Sequence, residues 1–179
     1  MNKKDEHYIT RDSGTSGYQP LGEHVIKPLF LNDIDLFQIA YRKDKFLFSH
    51  SGISPEFADD VFGIKGWDED NIVDLLNEKF KYQPLFIKFN NYKGDRLADG
   101  SGDNTYQSPV WIRPFSLQRA NRKNNILCDK YIQIVGHTPQ SNLLVNRVDL
   151  GGKYIFIDTI NTSKEYLEII DGKLKAKKI

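Results

Sequence analysis

Apolar positions along this chain fall into short runs whose spacing changes from place to place. Phe37-Gln38-Ile39-Ala40-Tyr41 and Phe46-Leu47-Phe48 flank the polar stretch Arg42-Lys43-Asp44-Lys45, which is a β-hairpin pattern. Ser54 then supplies an N-cap and Pro55 a first helical residue, so a helix is predicted to start there. Ile72, Leu75, Leu76 and Phe80 recur near helical spacing and predict a helix from Asp68 to about Phe80. Val25 to Leu31 reads as a short helix interrupted at Pro28. Trp111-Ile112-Arg113-Pro114 leads into a predicted helix from about Phe115 to Asn121. The last third reads as sheet, with strands at Tyr131–Val135, Leu143–Asp149, Lys153–Asp158 and Tyr166–Ile170. Gly151-Gly152 and Asp171-Gly172 mark turns, the second a strong hairpin signal.

Between these runs lie two polar stretches. Residues 1–20, which include Asp12-Ser13-Gly14-Thr15-Ser16-Gly17, are too polar and turn-rich to bury much and read as an N-terminal arm. Asn90 to Ser108 is rich in Gly, Asp and Asn and reads as a long loop, a place where substrate selection is expected. Residues 21–179 then form one domain. Helices in the middle and strands at both ends imply an α/β fold resembling half of a sandwich.

Composition narrows the function classes. The chain has 179 residues, 39% of them hydrophobic and 27% charged, as expected of a globular protein with one core. A formal net charge of +1 gives no electrostatic case for nucleic acid or an anionic membrane as partner. No basic stripe accompanies the aromatic residues, so they read as packing and not as a stacking platform for bases. The single Cys128 cannot close an internal disulfide, which fits a reducing, cytoplasmic setting. No apolar run approaches the roughly 20 residues that span a bilayer, and the charged opening Met1-Asn2-Lys3-Lys4-Asp5-Glu6 has no apolar segment behind it.

Two of the four histidines share a local context. His50 follows the apolar Phe46-Leu47-Phe48 and precedes Ser51-Gly52; His137 follows Tyr131-Ile132-Gln133-Ile134-Val135-Gly136 and precedes Thr138-Pro139. Each is an imidazole at the carboxyl end of a buried strand, where ligand sites of α/β sheets collect. Small neighbours leave room for a metal or phosphate, and neutral imidazole is a common transition-metal ligand. The bland alternative is a pair of hydrogen-bonded loop histidines. His7 and His24 read as a solvated arm residue and a helix-start residue.

The segments around these histidines carry a resemblance. Phe48-Ser49-His50-Ser51-Gly52-Ile53-Ser54 resembles the "HAG" or "HGG" segment of calcineurin-like metallophosphoesterases, in the branch of Ser/Thr protein phosphatases and diadenosine tetraphosphate hydrolases. Val135-Gly136-His137-Thr138-Pro139 resembles their "GHT" segment. Trp111-Ile112-Arg113-Pro114 resembles the segment whose arginine grips the substrate phosphate, a task suited to a planar guanidinium. Ile157-Asp158-Thr159 resembles the final core strand, where the family's aspartate is usually structural. The resemblance runs from about Asp5 to Asp171, with the segments in family order.

It implies metal ligation by His50 and His137 and phosphate binding by Arg113. It also implies a divalent metal (manganese, iron or zinc) and a phosphoester or phosphoprotein substrate. The fold implied is a partial calcineurin-like β-sandwich flanked by helices, the C-terminal half of a four-layer αββα arrangement. The family's first half supplies Asp-x-His, Gly-Asp-x-x-Asp and Gly-Asn-His-Asp/Glu. Of these, only the opening Lys3-Lys4-Asp5-Glu6-His7-Tyr8 is similar, to a Gly-Asn-His-Asp-x-His-Tyr version of the third, with Lys3 and Lys4 at the Asn and His positions and His7, by that resemblance, at the edge of the site as the alternative to a solvated arm residue. Lysines there oppose cation binding. The expectation is therefore a phosphoesterase by lineage that is incomplete or inactive as this isolated chain: a truncation, a split enzyme needing a separate N-terminal half, or a decayed relative. Self-association or aggregation through an uncovered sheet edge and an open apolar face is a further expectation. The alternative is a non-catalytic phosphate-recognising or protein-interaction module.

Overall fold

The computed structural model describes residues 23–61, 63, 68, 70–82, 104–123, 127, 130–143 and 153–179. The chain gathers into two units, Met1–Phe37 and Gln38–Ile179. In the first, helix α1 spans Glu23–Asn32 and runs through Pro28 instead of stopping there. An interior proline removes one i→i−4 bond and crowds the carbonyl four residues back, yet the helix end is still closed by Asp33 N–H donating to the Leu29 carbonyl at 3.2 Å. A 3₁₀ turn, Ile34–Leu36, follows, and the rings of Phe30 and Phe37 lie 4.6 Å apart.

The second unit is built on a four-stranded mixed sheet. Strand β1 (Ala40–Lys43) and β2 (Phe46–Ser49) form the predicted hairpin, but β1 starts at Ala40 and takes in Arg42 and Lys43, which the pattern assigns to the turn, so the chain turns at Asp44 with φ of 53°. Aspartate is among the few residue types that enter this left-handed region readily. Strands β3 (Ile132–Val135) and β4 (Tyr154–Phe156) extend the sheet in parallel, in the order β1-β2-β3-β4. The register aligns Ser49 with Val135 and Val135 with Phe156. The carboxyl ends of β2, β3 and β4 therefore share one edge.

Residues packed on both faces of this sheet correct the expectation of an open apolar face. Phe46, Ile134, Leu143 and Ile155 meet Leu167, Ile169, Leu174 and Ala176 of a two-stranded sheet, β5 (Glu165–Ile170) and β6 (Lys173–Lys178). That hairpin turns at Asp171-Gly172 with φ of 49° and 70°, the paired positive values a two-residue turn requires. On the other face Val135, Tyr154 and Phe156 pack with Ile112 and with Leu117 of helix α3 (Pro114–Lys123). Alternation along β4 sends Tyr154 and Phe156 one way and Ile155 the other. Each fully buried side chain of this kind contributes on the order of 1.5–3 kcal/mol.

Helix α2 spans Ile72–Tyr82 and buries Ile72, Val73, Leu76 and Phe80. Asp68, where the pattern starts the helix, lies ahead of it: its Oδ1 accepts from Asp70 N–H at 2.8 Å and Asn71 N–H at 2.9 Å. Asn77 on this helix accepts from the amides of Ile39 and Ala40 and donates to the Ala40 carbonyl, satisfying backbone groups at the start of β1. Ser54 caps as predicted, its Oγ accepting from Phe57 N–H at 3.1 Å, and the turn continues as a π-helix over Phe57–Val61.

The described end of the predicted loop Asn90–Ser108 is loop and turn, with Asn104, Thr105, Gln107 and Ser108 buried. Loop residues 90–103, the arm 1–20 with His7, Lys3, Lys4 and Asp5, Cys128, and the predicted strand beyond Leu143 lie outside the described residues. No helix among the described residues is long and apolar enough to cross a membrane.

Candidate functional site

His50 and His137 are carried one and two residues beyond neighbouring parallel strands. The ladder continues past the strands: Gly136 N–H donates to the His50 carbonyl at 2.9 Å. His137 itself has φ of 68°, and Thr138 N–H donates back to the Gly136 carbonyl at 2.8 Å. That is a three-residue γ-turn about a histidine with positive φ, a rare and strained conformation. The turn brings His137 Nδ1 to 3.1 Å from His50 Nε2, with ring centroids 4.9 Å apart and planes at 60°.

The segment after His50 is tied down by buried hydrogen bonds. Ser51 N–H donates to the Pro109 carbonyl at 2.7 Å, and Gly52, with φ of 113°, lies against Leu117. The Gln133 side chain, fully buried in β3, accepts from Ile53 N–H at 2.9 Å and donates to the Ile53 carbonyl at 3.1 Å. The sequence reading placed Gln133 in a strand and assigned it no role. A polar residue inside an apolar strand is the signal that would have singled it out, because buried amides need partners.

The arginine also arrives at this place. Arg113 Nη1 donates to Thr138 Oγ1 at 3.3 Å, and its Cζ lies 5.2 Å from the centroid of the Trp111 ring. The Trp111 ring is in turn 5.2 Å from that of His137. Trp111 thus lies within ring-contact distance of both the guanidinium and the imidazole, a placement the sequence does not reveal. His24 belongs to the first unit and is exposed.

Burial lowers the pKa of His137 to about 4, with the Arg113 charge and His50 pushing the same way; the Trp111 backbone and the Asp158 carboxylate oppose weakly. Burial also lowers the pKa of His50, against the pull of Asp158. Both shifts favour the neutral imidazole, and the facing nitrogens, 3.1 Å apart, pair as donor and acceptor in roles set by the tautomers. His137 Nε2 is buried without a well-formed hydrogen bond.

The pair fits a single cation in donor chemistry. Two imidazoles on one ion at about 2.1 Å stand about 3.0–3.4 Å apart, nitrogen to nitrogen, for coordination angles of roughly 90–110°. The observed 3.1 Å lies within that span. In number the pair falls short: no group of three or more His, Cys, Asp or Glu side chains at ligand spacing occurs among the described residues. No protein-family model matches the chain, and no curated protein or solved structure matches it either.

Proposed function

We propose that this chain carries the histidine and arginine portion of a calcineurin-like metallophosphoesterase site, and that by itself it binds a divalent cation and a phosphoester without turning the ester over. The observation that carries the reading is the His50 Nε2 to His137 Nδ1 separation of 3.1 Å at adjacent strand ends, with Arg113 held beside it. A divalent cation of the manganese, iron or zinc type supplies charge neutralisation and an acidified water when bound. The residues of the chain do the rest. His50 and His137 offer neutral lone pairs. Arg113 presents a planar fork to phosphate oxygens, steadied by Thr138 and Trp111.

The shortage of ligands favours a second reading, a phosphate-recognising module that works without metal. Isothermal titration with manganese or zinc, and separately with inorganic phosphate, tells the two apart. One ion per chain, lost in both His50→Ala and His137→Ala, supports the first. No ion, with phosphate binding that Arg113→Ala removes, supports the second. A chain that binds neither contradicts both.

A further inference from the structure

The backbone of Trp111 is held by the same stitching that holds His50. The Ser108 carbonyl accepts from Trp111 N–H at 2.9 Å and from Ile112 N–H at 3.1 Å, and the Ser51 hydroxyl donates to it at 3.4 Å. Ser51 N–H donates to the next carbonyl, that of Pro109, at 2.7 Å. Ser51 directly follows His50, and Ser51 and Ser108 are both buried. After Trp111 the chain is anchored again. Ile112 enters the core with Val135, Tyr154 and Phe156, and the Arg113 carbonyl accepts from Leu117 N–H of helix α3 at 2.9 Å. The main chain from Ser108 to Arg113 is therefore fixed against the strand ends that carry the histidines.

The Trp111 ring stands apart from this anchorage. It is half-buried and lies outside the core cluster that takes in Ile112. Its centroid is 5.2 Å from the Arg113 guanidinium carbon and 5.2 Å from the centre of the His137 ring. Both of those groups need a constraint beyond their backbone. An arginine side chain has many rotamers, and an aromatic face attracts the guanidinium while leaving its N–H edge for a ligand. One of those donors, Nη1, reaches Thr138, the residue after His137. His137 itself sits at a positive φ of 68°, a strained setting that persists only where its surroundings over-determine it.

We propose that Trp111 is the positioning residue for both working groups of this site: one indole ring holds the Arg113 guanidinium ready for a phosphate and seats the His137 imidazole beside it. Resting on the reading that Arg113 takes phosphate, this role needs no metal ion. A cation already in place binds an anion more tightly than one that must first be ordered. Because one ring serves both groups, its loss frees the guanidinium and the imidazole together.

The test is calorimetric titration of the whole chain with inorganic phosphate in chelator, for wild type, Trp111→Phe, Trp111→Leu and Arg113→Ala. Nitrogen relaxation at Arg113 Nε and at the His137 ring, and a melting curve, accompany each. In Trp111→Leu phosphate affinity is expected to fall about 3–10-fold, with the Arg113 and His137 side chains gaining mobility together. Trp111→Phe, which keeps a flat ring, should retain most of the affinity and the order, and the two variants should melt alike. Wild-type affinity in Trp111→Leu, while Arg113→Ala loses phosphate, overturns this inference and leaves the phosphate reading standing. Mobility gained at Arg113 alone, with the His137 ring unchanged, overturns the shared role. A Trp111→Leu chain that melts far below Trp111→Phe marks the ring as structural and also overturns it. A wild-type chain that binds no phosphate overturns both.

Discussion

The amide of Gly136 donates to the carbonyl of His50 at 2.9 Å. This bond lies beyond the last paired residues of β2 and β3, and it fixes the height of one histidine against the other. A Cβ on Gly136 would stand 3.5 Å from that carbonyl, an ordinary contact. The close approach of the rings therefore owes more to the γ-turn at His137 than to the missing side chain of its neighbour.

The isolated chain is expected to hydrolyse para-nitrophenyl phosphate no faster than buffer containing manganese. Two imidazoles leave most of a coordination sphere unfilled, and metal-assisted hydrolysis depends on a fixed geometry around the ion. A turnover assay with added manganese checks this, run beside His50→Ala and His137→Ala. Turnover that both substitutions abolish would show that the described pair is completed into a working site.

Acid should destabilise the metal-free chain through His137. Its folded pKa, about 4, lies below the ordinary 6.5. Between those values the unfolded chain binds more protons than the folded one, so stability rises with pH there. The contribution is intact above pH 6.5 and is lost as pH falls towards 4. Discounted for the solvent around a half-exposed ring, the effect is ~1 kcal/mol, or a melting shift of about 2–4 °C. His137→Asn, whose side chain tolerates positive φ, should melt with a shallower acid dependence than wild type. Equal slopes in circular-dichroism melts from pH 7 to 4 would contradict this.

Replacing Gln133 by Leu should cost about 2–4 kcal/mol. Both backbone groups of the buried Ile53 would lose the partner that Gln133 provides. Urea unfolding measures the loss, and a change under 1 kcal/mol would mean that water replaces the amide.

Gly52→Ala should also be severe. Its φ is 113°, and an added Cβ would lie 2.2 Å from Cδ2 of Leu117, itself fully buried and unable to swing into solvent. A cost of about 2–4 kcal/mol is expected from strain and overpacking together. Gly172→Ala provides the comparison. Its φ is 70° with nothing within 4 Å, so only the backbone term of about 1–2 kcal/mol applies. Comparable urea midpoints for the two variants would argue against the Leu117 contact.

Much of the candidate site was legible because its residues announce themselves locally. His50 and His137 follow apolar strands and precede small residues, and Arg113 sits between an apolar residue and Pro114. Hairpin β1–β2, the Ser54 cap, helices α2 and α3, and the turn at Asp171-Gly172 likewise rest on near neighbours in sequence. Helix α1 runs through Pro28 against the break its pattern predicts, because a proline's lost bond and crowding are local and pattern alone does not show what the remaining turns supply.

The sequence by itself determined the β1–β2 hairpin, helices α2 and α3, the turn at Asp171-Gly172, and that two histidines follow strands, since these depend on periodicity and on capping within a few residues. Only the tertiary structure decided that β2 pairs in parallel with β3 and β3 with β4, and with what register. Parallel neighbours are joined by long crossovers, so no turn ties their registers together. That register brings His50 to His137 and sets Asp158 at the same edge, and the fold on either side brings Trp111 against the pair and Gln133 under Ile53. Contacts between residues so far apart in sequence arise from the shared burial of two sheet faces, and no local pattern encodes them.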